Sequence, residues 1–136
     1  MTGKKIIIDG TRAVFGRLCS FAAKKALEGN EIVIVNCEKI IMTGNKNEIK
    51  GRYSSLRARG GHSQKGPKYS KIPYMMMKRG IRGMLPDHRK GIGKEAIKRV
   101  MCYDSIPDKL KNEKMLKIDA PKKFRYIELK ELAERI

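Results

Sequence analysis

Short apolar runs and an amphipathic segment alternate along the first 36 residues. Residues 6–8 are consecutive isoleucines, and residues 32–35 form a second β-branched run. Between them, apolar residues recur at helical spacing as far as about Glu28, where a Gly-Asn pair is a typical helix stop. This order predicts a right-handed βαβ unit with two parallel strands, whose sheet needs cover on both faces. The apolar helical positions are Phe15, Leu18, Cys19, Ala22 and Ala26.

A second helix is predicted to begin at Asn45 and to give way to a loop. Asn45 and Glu48 have the spacing of a capping box. From residue 57 to residue 72 too few apolar groups remain to offset a backbone ordering cost of about 1–2 kcal/mol per residue. We predict a long loop there, mobile alone and fixed by its partner. The apolar positions of the helix are Ile49, Tyr53 and Leu56.

Two further helices are predicted in the second half of the chain. Pro73 suits the first position of a helix, and Pro86 ends it. Gly80 and Gly83 each weaken that helix by up to about 1 kcal/mol, which the close approach of another backbone, of protein or nucleic acid, would explain. A shorter helix follows a loop at residues 87–93. The apolar positions are Tyr74, Met77, Ile81 and Met84 in the first helix and Ala96, Ile97 and Val100 in the second.

The end of the chain predicts two short strands and a helix. The strands are placed at residues 101–103 and 124–127, and Pro107 stops the first of them. Because the chain has 136 residues and shows neither an internal repeat nor a domain boundary, we expect a single domain over residues 1–136. The apolar side of the last helix is predicted to be Leu129, Leu132, Ala133 and Ile136.

Positive charge is concentrated in the middle of the chain. Residues 46–99 hold sixteen Lys or Arg and three acidic residues, an excess of thirteen out of the total formal charge of +18. Self-repulsion disfavours such a field in a compact chain unless an anionic partner neutralises it. A nucleic acid offers the densest array of fixed negative charge, so residues 46–99 are predicted to face one.

The composition favours folded RNA among the anionic partners. No apolar run approaches the ~20 residues of a membrane span, and a glycine-rich basic segment without tryptophan is a poor membrane anchor. None of the common DNA-reading or RNA-recognition motifs occurs. Arginine can hold phosphate through two parallel hydrogen bonds, and glycine lets the backbone approach a phosphate chain. Tyrosines that can stack on unpaired bases are Tyr53, Tyr69 and Tyr74.

Candidate catalytic and metal-binding residues are few. Asp9 ends the first strand, but no histidine or second carboxylate is near it in sequence, so a capping role is the simpler interpretation. His62 and His88 lie in cationic loops where nothing in the sequence orients their rings. Gly10 is predicted to be a turn residue and Gly16 to permit close helix packing, because this turn lacks P-loop and dinucleotide-binding spacing. The cysteines lack zinc-site spacing and are predicted to be buried thiols in a reducing compartment: Cys19, Cys37 and Cys102.

Several motifs resemble those of one protein family. Residues 16–18 are Gly-Arg-Leu, residues 33–40 end in Asn-Cys-Glu-Lys-Ile, and residues 79–86 are Arg-Gly-Ile-Arg-Gly-Met-Leu-Pro. Gly-Lys-Glu-Ala at residues 93–96 and Tyr-Asp-Ser-Ile-Pro at residues 103–107 follow in order. Over nearly its whole length the chain resembles the universal large-subunit ribosomal protein conventionally numbered thirteen. It is similar to the archaeal form, since it lacks the long C-terminal extension expected of eukaryotic members.

This resemblance implies a three-layer α/β/α domain around a four-stranded parallel sheet, with the basic, glycine-rich loop and helices as an insertion. It implies binding to large-subunit ribosomal RNA, no enzymatic activity, and no cofactor, metal or small-molecule substrate. The matched motifs assign RNA contacts to Arg79, Arg82, the Gly80 and Gly83 backbone, Lys94 and Lys98. Charge alone adds Lys46, Lys50, Arg52, Arg57, Arg59, Lys65, Lys68, Lys71, Lys78, Arg89 and Lys90.

The leading hypothesis is a structural, cytoplasmic component of the large ribosomal subunit that neutralises ribosomal RNA phosphates and supports assembly beside neighbouring ribosomal proteins. The alternative is a small α/β enzyme acting on RNA or a phosphorylated metabolite, with Asp9 or His88 as the acid–base group. A nucleic-acid chaperone outside the ribosome would share the charge but not the motifs.

Overall fold

In the part of the chain that the structure describes, three helices follow one another between two groups of strands. The computed structural model describes residues 3–58, 72–87, 89–118 and 125–135, and of residues 57 and 135 only the backbone. The strands in this part of the chain are β1 (Lys5–Asp9), β2 (Glu31–Val35), β3 (Ile41–Thr43), β4 (Val100–Cys102), β5 (Leu116–Lys117) and β6 (Tyr126–Glu128). The α-helices are α1 (Phe15–Leu27), α2 (Lys46–Ala58), α3 (Pro73–Gly83), α4 (Gly91–Lys98) and α5 (Leu129–Arg135).

The central sheet has four strands in the order β4-β2-β1-β5, and every neighbouring pair is parallel. β1 and β2 pair in register from Lys5 opposite Glu31 to Asp9 opposite Val35, with α1 connecting them along the chain. The predicted βαβ unit and the four-stranded parallel sheet are therefore confirmed. A second, two-stranded antiparallel sheet joins β3 to β6, a pairing that no sequence pattern indicated.

Alternate residues of β1 and β2 enter two separate apolar clusters, as the period of a strand requires. The larger cluster packs one face of the sheet against α1, α3 and α4. Within the described residues, the opposite face is covered by a 3-10 turn at Asp108–Leu110 and its flanking loop, with Leu110 almost fully buried. The first cluster includes Ile8, Ile32 and Ile34, and the second includes Ile7, Val33 and Val35.

Helix α3 lies against α1, and this packing changes the predicted apolar stripe. Met77 and Ile81 are fully buried, as predicted, but Met76 joins them in the core. Tyr74 and Met84, assigned to the stripe from spacing, are 38% and 48% exposed instead. The stripe is shifted because α3 approaches α1 on the side that carries Met76.

Gly80 explains how α3 can approach α1 so closely. A Cβ atom at this position would lie 2.6 Å from Phe15 Cζ and 2.8 Å from Cys19 Sγ, both in α1. The close neighbour is thus a pair of side chains of this protein, where the sequence predicted a backbone. None of the described residues comes within 4 Å of a Cβ atom built at Gly83.

Some predicted boundaries are wrong by a few residues. α2 continues through residue 58, past the predicted loop start at residue 57. α4 begins at Gly91, inside the predicted loop 87–93, and Val100 belongs to β4. Residues 59–71 and Ile136 lie outside the described residues, so the mobility predicted for the long loop stays a prediction.

Candidate nucleic-acid interface

The cations predicted from residues 46–99 are distributed over three helices and one turn. α2 carries Lys46, Lys50 and Arg52, α3 carries Lys78, Arg79 and Arg82, and α4 carries Lys94 and Lys98. Arg89 and Lys90 lie in the exposed turn before α4. The backbone of Arg57 lies in the last turn of α2. Arg59, Lys65, Lys68, Lys71, His62 and His88 lie outside the described residues.

Helix α3 receives its N-terminal cap from the loop that follows β4. Pro73 occupies its first turn, and Asp104 Oδ1 accepts a hydrogen bond of 2.9 Å from the Tyr74 backbone N–H. A carboxylate at this end also offsets the positive end of the helix dipole. Burial raises the pKa of Asp104, the hydrogen bond from Tyr74 opposes that rise, and the nearby Glu38 carboxylate adds to it; the net direction is upward.

Helix α4 is held against the turn that precedes it. Gly93 is buried, and a Cβ atom there would overlap the carbonyl oxygens of Pro86 and Asp87. Backbone therefore approaches backbone at this glycine, the arrangement that the sequence predicted for Gly80 and Gly83. The contact orients the exposed Lys94 on the same helix.

The α3 cations lie close to α2. Lys78, Arg79 and Arg82 line one groove with Tyr53 and Leu56 of α2. Arg52 lines a neighbouring groove that shares Tyr53 and Leu56. The shared residues place Arg52 of α2 in the groove next to the one that holds the α3 cations.

Lys46 of α2 pairs with an acidic residue of another helix. Its Nζ lies 3.3 Å from Glu131 Oε2 of α5. An exposed pair of this kind contributes about 0–1 kcal/mol to stability, so phosphate can still compete for the ammonium group.

A second basic surface lies outside residues 46–99 and was missed by the sequence reasoning. Arg17 and Lys24 of α1 share a cleft of about 530 Å³ with Lys117 of β5, together with Phe21 and Leu116. None of the described residues that line this cleft is acidic. No sequence signal marks it, because pairing of β5 with β1 brings together residues that are far apart in a nearly balanced part of the chain.

Asp9 has the capping role expected from its position. Its Oδ1 accepts hydrogen bonds from the Thr11 backbone N–H at 3.0 Å, the Thr11 hydroxyl at 2.7 Å and Asn36 Nδ2 at 3.0 Å. Burial alone would raise the pKa of Asp9, but these hydrogen bonds and the charge of Lys117 lower it. A carboxylate held ionised in this way is poorly suited to exchange protons near neutral pH.

The cysteines are buried thiols, as predicted. Cys19, Cys37 and Cys102 are free of disulfides and lie in the core. Burial raises the pKa of Cys19 to about 12, so its thiol stays protonated and is a poor nucleophile.

Gly16 does not have the role predicted for it. A Cβ atom at this position would meet open space, so no neighbouring helix packs closely there within the described residues. The prediction that Gly16 permits close helix packing is therefore wrong.

The helices of the described residues are too short or too polar to cross a membrane.

Comparison with known proteins decides the family. A family model described as Ribosomal protein L13 matches residues 3–109, which include every element from β1 to β4. The chain belongs to the ribosomal protein L13 family. The L13 match spans the stretch of the chain that holds α2, α3 and α4.

Relatives within the L13 family cover most of the chain. A large ribosomal subunit protein uL13 of Methanococcus maripaludis is 40% identical over 132 residues, 95% of both chains. That of Picrophilus torridus is 41% identical over 115 residues, 85% of this chain and 82% of its own. The uL13 protein of Caenorhabditis elegans is 35% identical over 127 residues, 92% of this chain but 62% of its own length. The resemblance recognised from the motifs, including its archaeal character, is confirmed.

Proposed function

We propose that this chain is a structural component of the large ribosomal subunit in the cytoplasm, where it binds ribosomal RNA and supports assembly. Membership of the L13 family carries the proposal, because the chain and its archaeal relatives cover each other almost completely. The basic surface of α2, α3 and α4 supplies the chemistry. Neighbouring large-subunit proteins are its further partners.

Phosphate neutralisation is the mechanism that the surface supports. Each Lys or Arg that contacts a phosphate releases condensed counterions, and RNA helices held together on one cationic surface no longer repel each other fully. Arg79 and Arg82 can hold phosphate with paired hydrogen bonds, while exposed lysines such as Lys94 act as point charges. No described residue lies next to the Cβ position of Gly83, so a phosphate chain can approach the backbone there.

The α/β enzyme alternative has little support in the described residues. Asp9 is held ionised by three hydrogen bonds and the buried Cys19 thiol stays protonated. The ionisable neighbours that act on them are Lys117 for Asp9 and Cys102 for Cys19, neither of which is a histidine or a second carboxylate. Binding without turnover is the function that this arrangement favours.

Sedimentation of ribosomal particles tests the proposal. A tagged chain should travel with large subunits through a sucrose gradient at high salt, because contacts made during assembly are enclosed by RNA and exchange slowly. Recovery of the chain at the top of the gradient, or with particles that lack large-subunit RNA, would contradict the proposal.

A further inference from the structure

An open groove of about 600 Å³ lies where α1, α2, α3 and α4 meet, a volume within the range of ligand sites. Its apolar lining includes the rings of Phe15 and Tyr53 with Leu56 and Met75. None of the described residues that line it is acidic. Its cations are Lys78, Arg79 and Arg82.

The groove exposes apolar surface on the most basic part of the molecule. Met75 is 45% exposed, although Met76 and Met77 beside it lie in the core. Aromatic and apolar side chains next to guanidinium groups match the two parts of a nucleotide, a flat base and a charged phosphate. A neighbouring protein would fit only if it combined apolar side chains with an unusual excess of acids, so charge complementarity favours RNA.

We propose that this groove receives an unpaired nucleotide of the bound RNA, with its base among the apolar side chains and its phosphates on the three cations. The inference deepens the proposed function and rests on it. Stacking of bases on aromatic and apolar side chains is insensitive to sequence, so the groove would secure a looped-out nucleotide of any base type. The cations of the surrounding helices that lie outside the groove would then contact duplex phosphates alone.

Methyl NMR of the intact chain tests this assignment. The chain is labelled at its methionine methyl groups and titrated with hexaadenylate or with an abasic hexamer that has the same phosphates. Ring currents from an inserted adenine should shift the Met75 methyl signal, whereas the abasic hexamer should leave it in place. Met101, which is 46% exposed on the edge strand β4, is the matched control and should not move with either probe.

Affinity provides the second readout. Hexaadenylate should bind about tenfold more tightly than the abasic hexamer, in keeping with the usual effect of stacking one base. Met75→Glu should abolish most of that preference, and Met101→Glu should preserve it. Because both positions are exposed, neither variant is expected to unfold the protein.

Three results would overturn the proposal while leaving the proposed function intact, provided that large-subunit RNA still binds. Equal shifts of Met75 with both hexamers would assign the groove to phosphate alone. An unmoved Met75 would leave the groove to a protein neighbour. Contacts between the Met75 methyl group and residues 59–71 that persist with RNA would assign it to the chain's own segment. Failure to bind large-subunit RNA at all would overturn both proposals.

Discussion

Arg99 Nη1 donates a hydrogen bond of 2.9 Å to the carbonyl oxygen of Ala26, in the last turn of α1. Its Nη2 also lies 3.7 Å from Glu95 Oε2. Carbonyl groups at the end of a helix lack partners within the helix, and a cation there offsets the negative end of the dipole. One of the sixteen basic residues in the central segment therefore stabilises the fold, in contrast to its exposed neighbour Lys98.

Arg99 and Lys98 should separate the effects of charge on stability and on RNA binding. Arg99→Ala is expected to lower the free energy of unfolding by about 1–3 kcal/mol, because it removes a partly buried, charge-assisted hydrogen bond. Lys98→Ala should change it by less than about 0.5 kcal/mol and should weaken RNA binding. Urea denaturation of both variants measures the free energy of unfolding, and titration with RNA measures the affinity. Equal losses of stability would contradict the assignment.

Gly80 should be sensitive to the smallest possible side chain. Gly80→Ala places a methyl group against Phe15 and Cys19, and overpacking of this kind costs about 1–3 kcal/mol, partly offset by up to about 1 kcal/mol of gained helix propensity. Gly51→Ala is the matched control, since Gly51 lies within α2 and none of the described residues is near its Cβ position. Thermal unfolding should show a net loss for position 80 and a gain of about 0.5–1 kcal/mol for position 51.

A gain of stability in both glycine variants would show that Phe15 moves aside at no cost. Close packing against α1 would then no longer explain the glycine at position 80. Contact with RNA would be the remaining explanation.

The cap on α3 should depend on the Asp104 oxygen. Asp104→Ala is expected to lower the free energy of unfolding by about 1 kcal/mol, because the Tyr74 N–H loses its acceptor. Asp104→Asn keeps an oxygen in place and should retain most of the stability. Denaturant unfolding at neutral pH compares the two, and equal destabilisation by Ala and Asn would exclude the hydrogen bond as the cause.

The two perturbed carboxyl groups should give opposite pH dependence. The pKa of Asp104 is raised above 3.8 on folding, so the pH-dependent part of its contribution to stability is present at low pH and is lost as the pH rises through its folded pKa. The hydrogen bond to Tyr74 is a separate contribution that remains at neutral pH. The pKa of Asp9 is lowered below 3.8, so its contribution is present above that value and is lost as the pH falls through its folded pKa.

Unfolding of the Asp9→Asn and Asp104→Asn variants across the acidic range measures these contributions. As the pH rises, the stability of wild type relative to Asp9→Asn should increase, and that relative to Asp104→Asn should decrease. The same slope in both comparisons would mean that the two carboxyl groups do not titrate in opposite directions on folding.

Local patterns predicted those parts of the fold that local interactions determine. The isoleucines of β1 and the helical spacing of α1 were sufficient for the βαβ unit, and Pro73 marked the start of α3 correctly. The choice of Met76 over Tyr74 for the core depends on the angle at which α3 meets α1, which no periodicity contains. The exposure of the Tyr74 side chain is a consequence of that tertiary contact.

The second basic surface illustrates the same limit for the candidate site. Lys117 reaches Arg17 and Lys24 only because β5 pairs with β1, so counting charge along the sequence places these residues in separate, nearly neutral segments. The central segment, by contrast, has so many basic residues along the chain that its helices are basic however they pack. Its charge could therefore be predicted from the sequence.

The salt dependence of RNA binding tests the central claim most directly. The variant with Lys78, Arg79 and Arg82 all changed to alanine is compared with Lys111→Ala. Lys111 lies away from the three helices, and its Nζ is 2.9 Å from Asp108 Oδ1. With large-subunit RNA, the plot of log affinity against log salt should be less steep by roughly 2–3 units in the triple variant, at about 0.7–0.9 for each phosphate that is no longer neutralised. The slope should be unchanged in Lys111→Ala. An unchanged slope in a correctly folded triple variant would contradict phosphate neutralisation by α3.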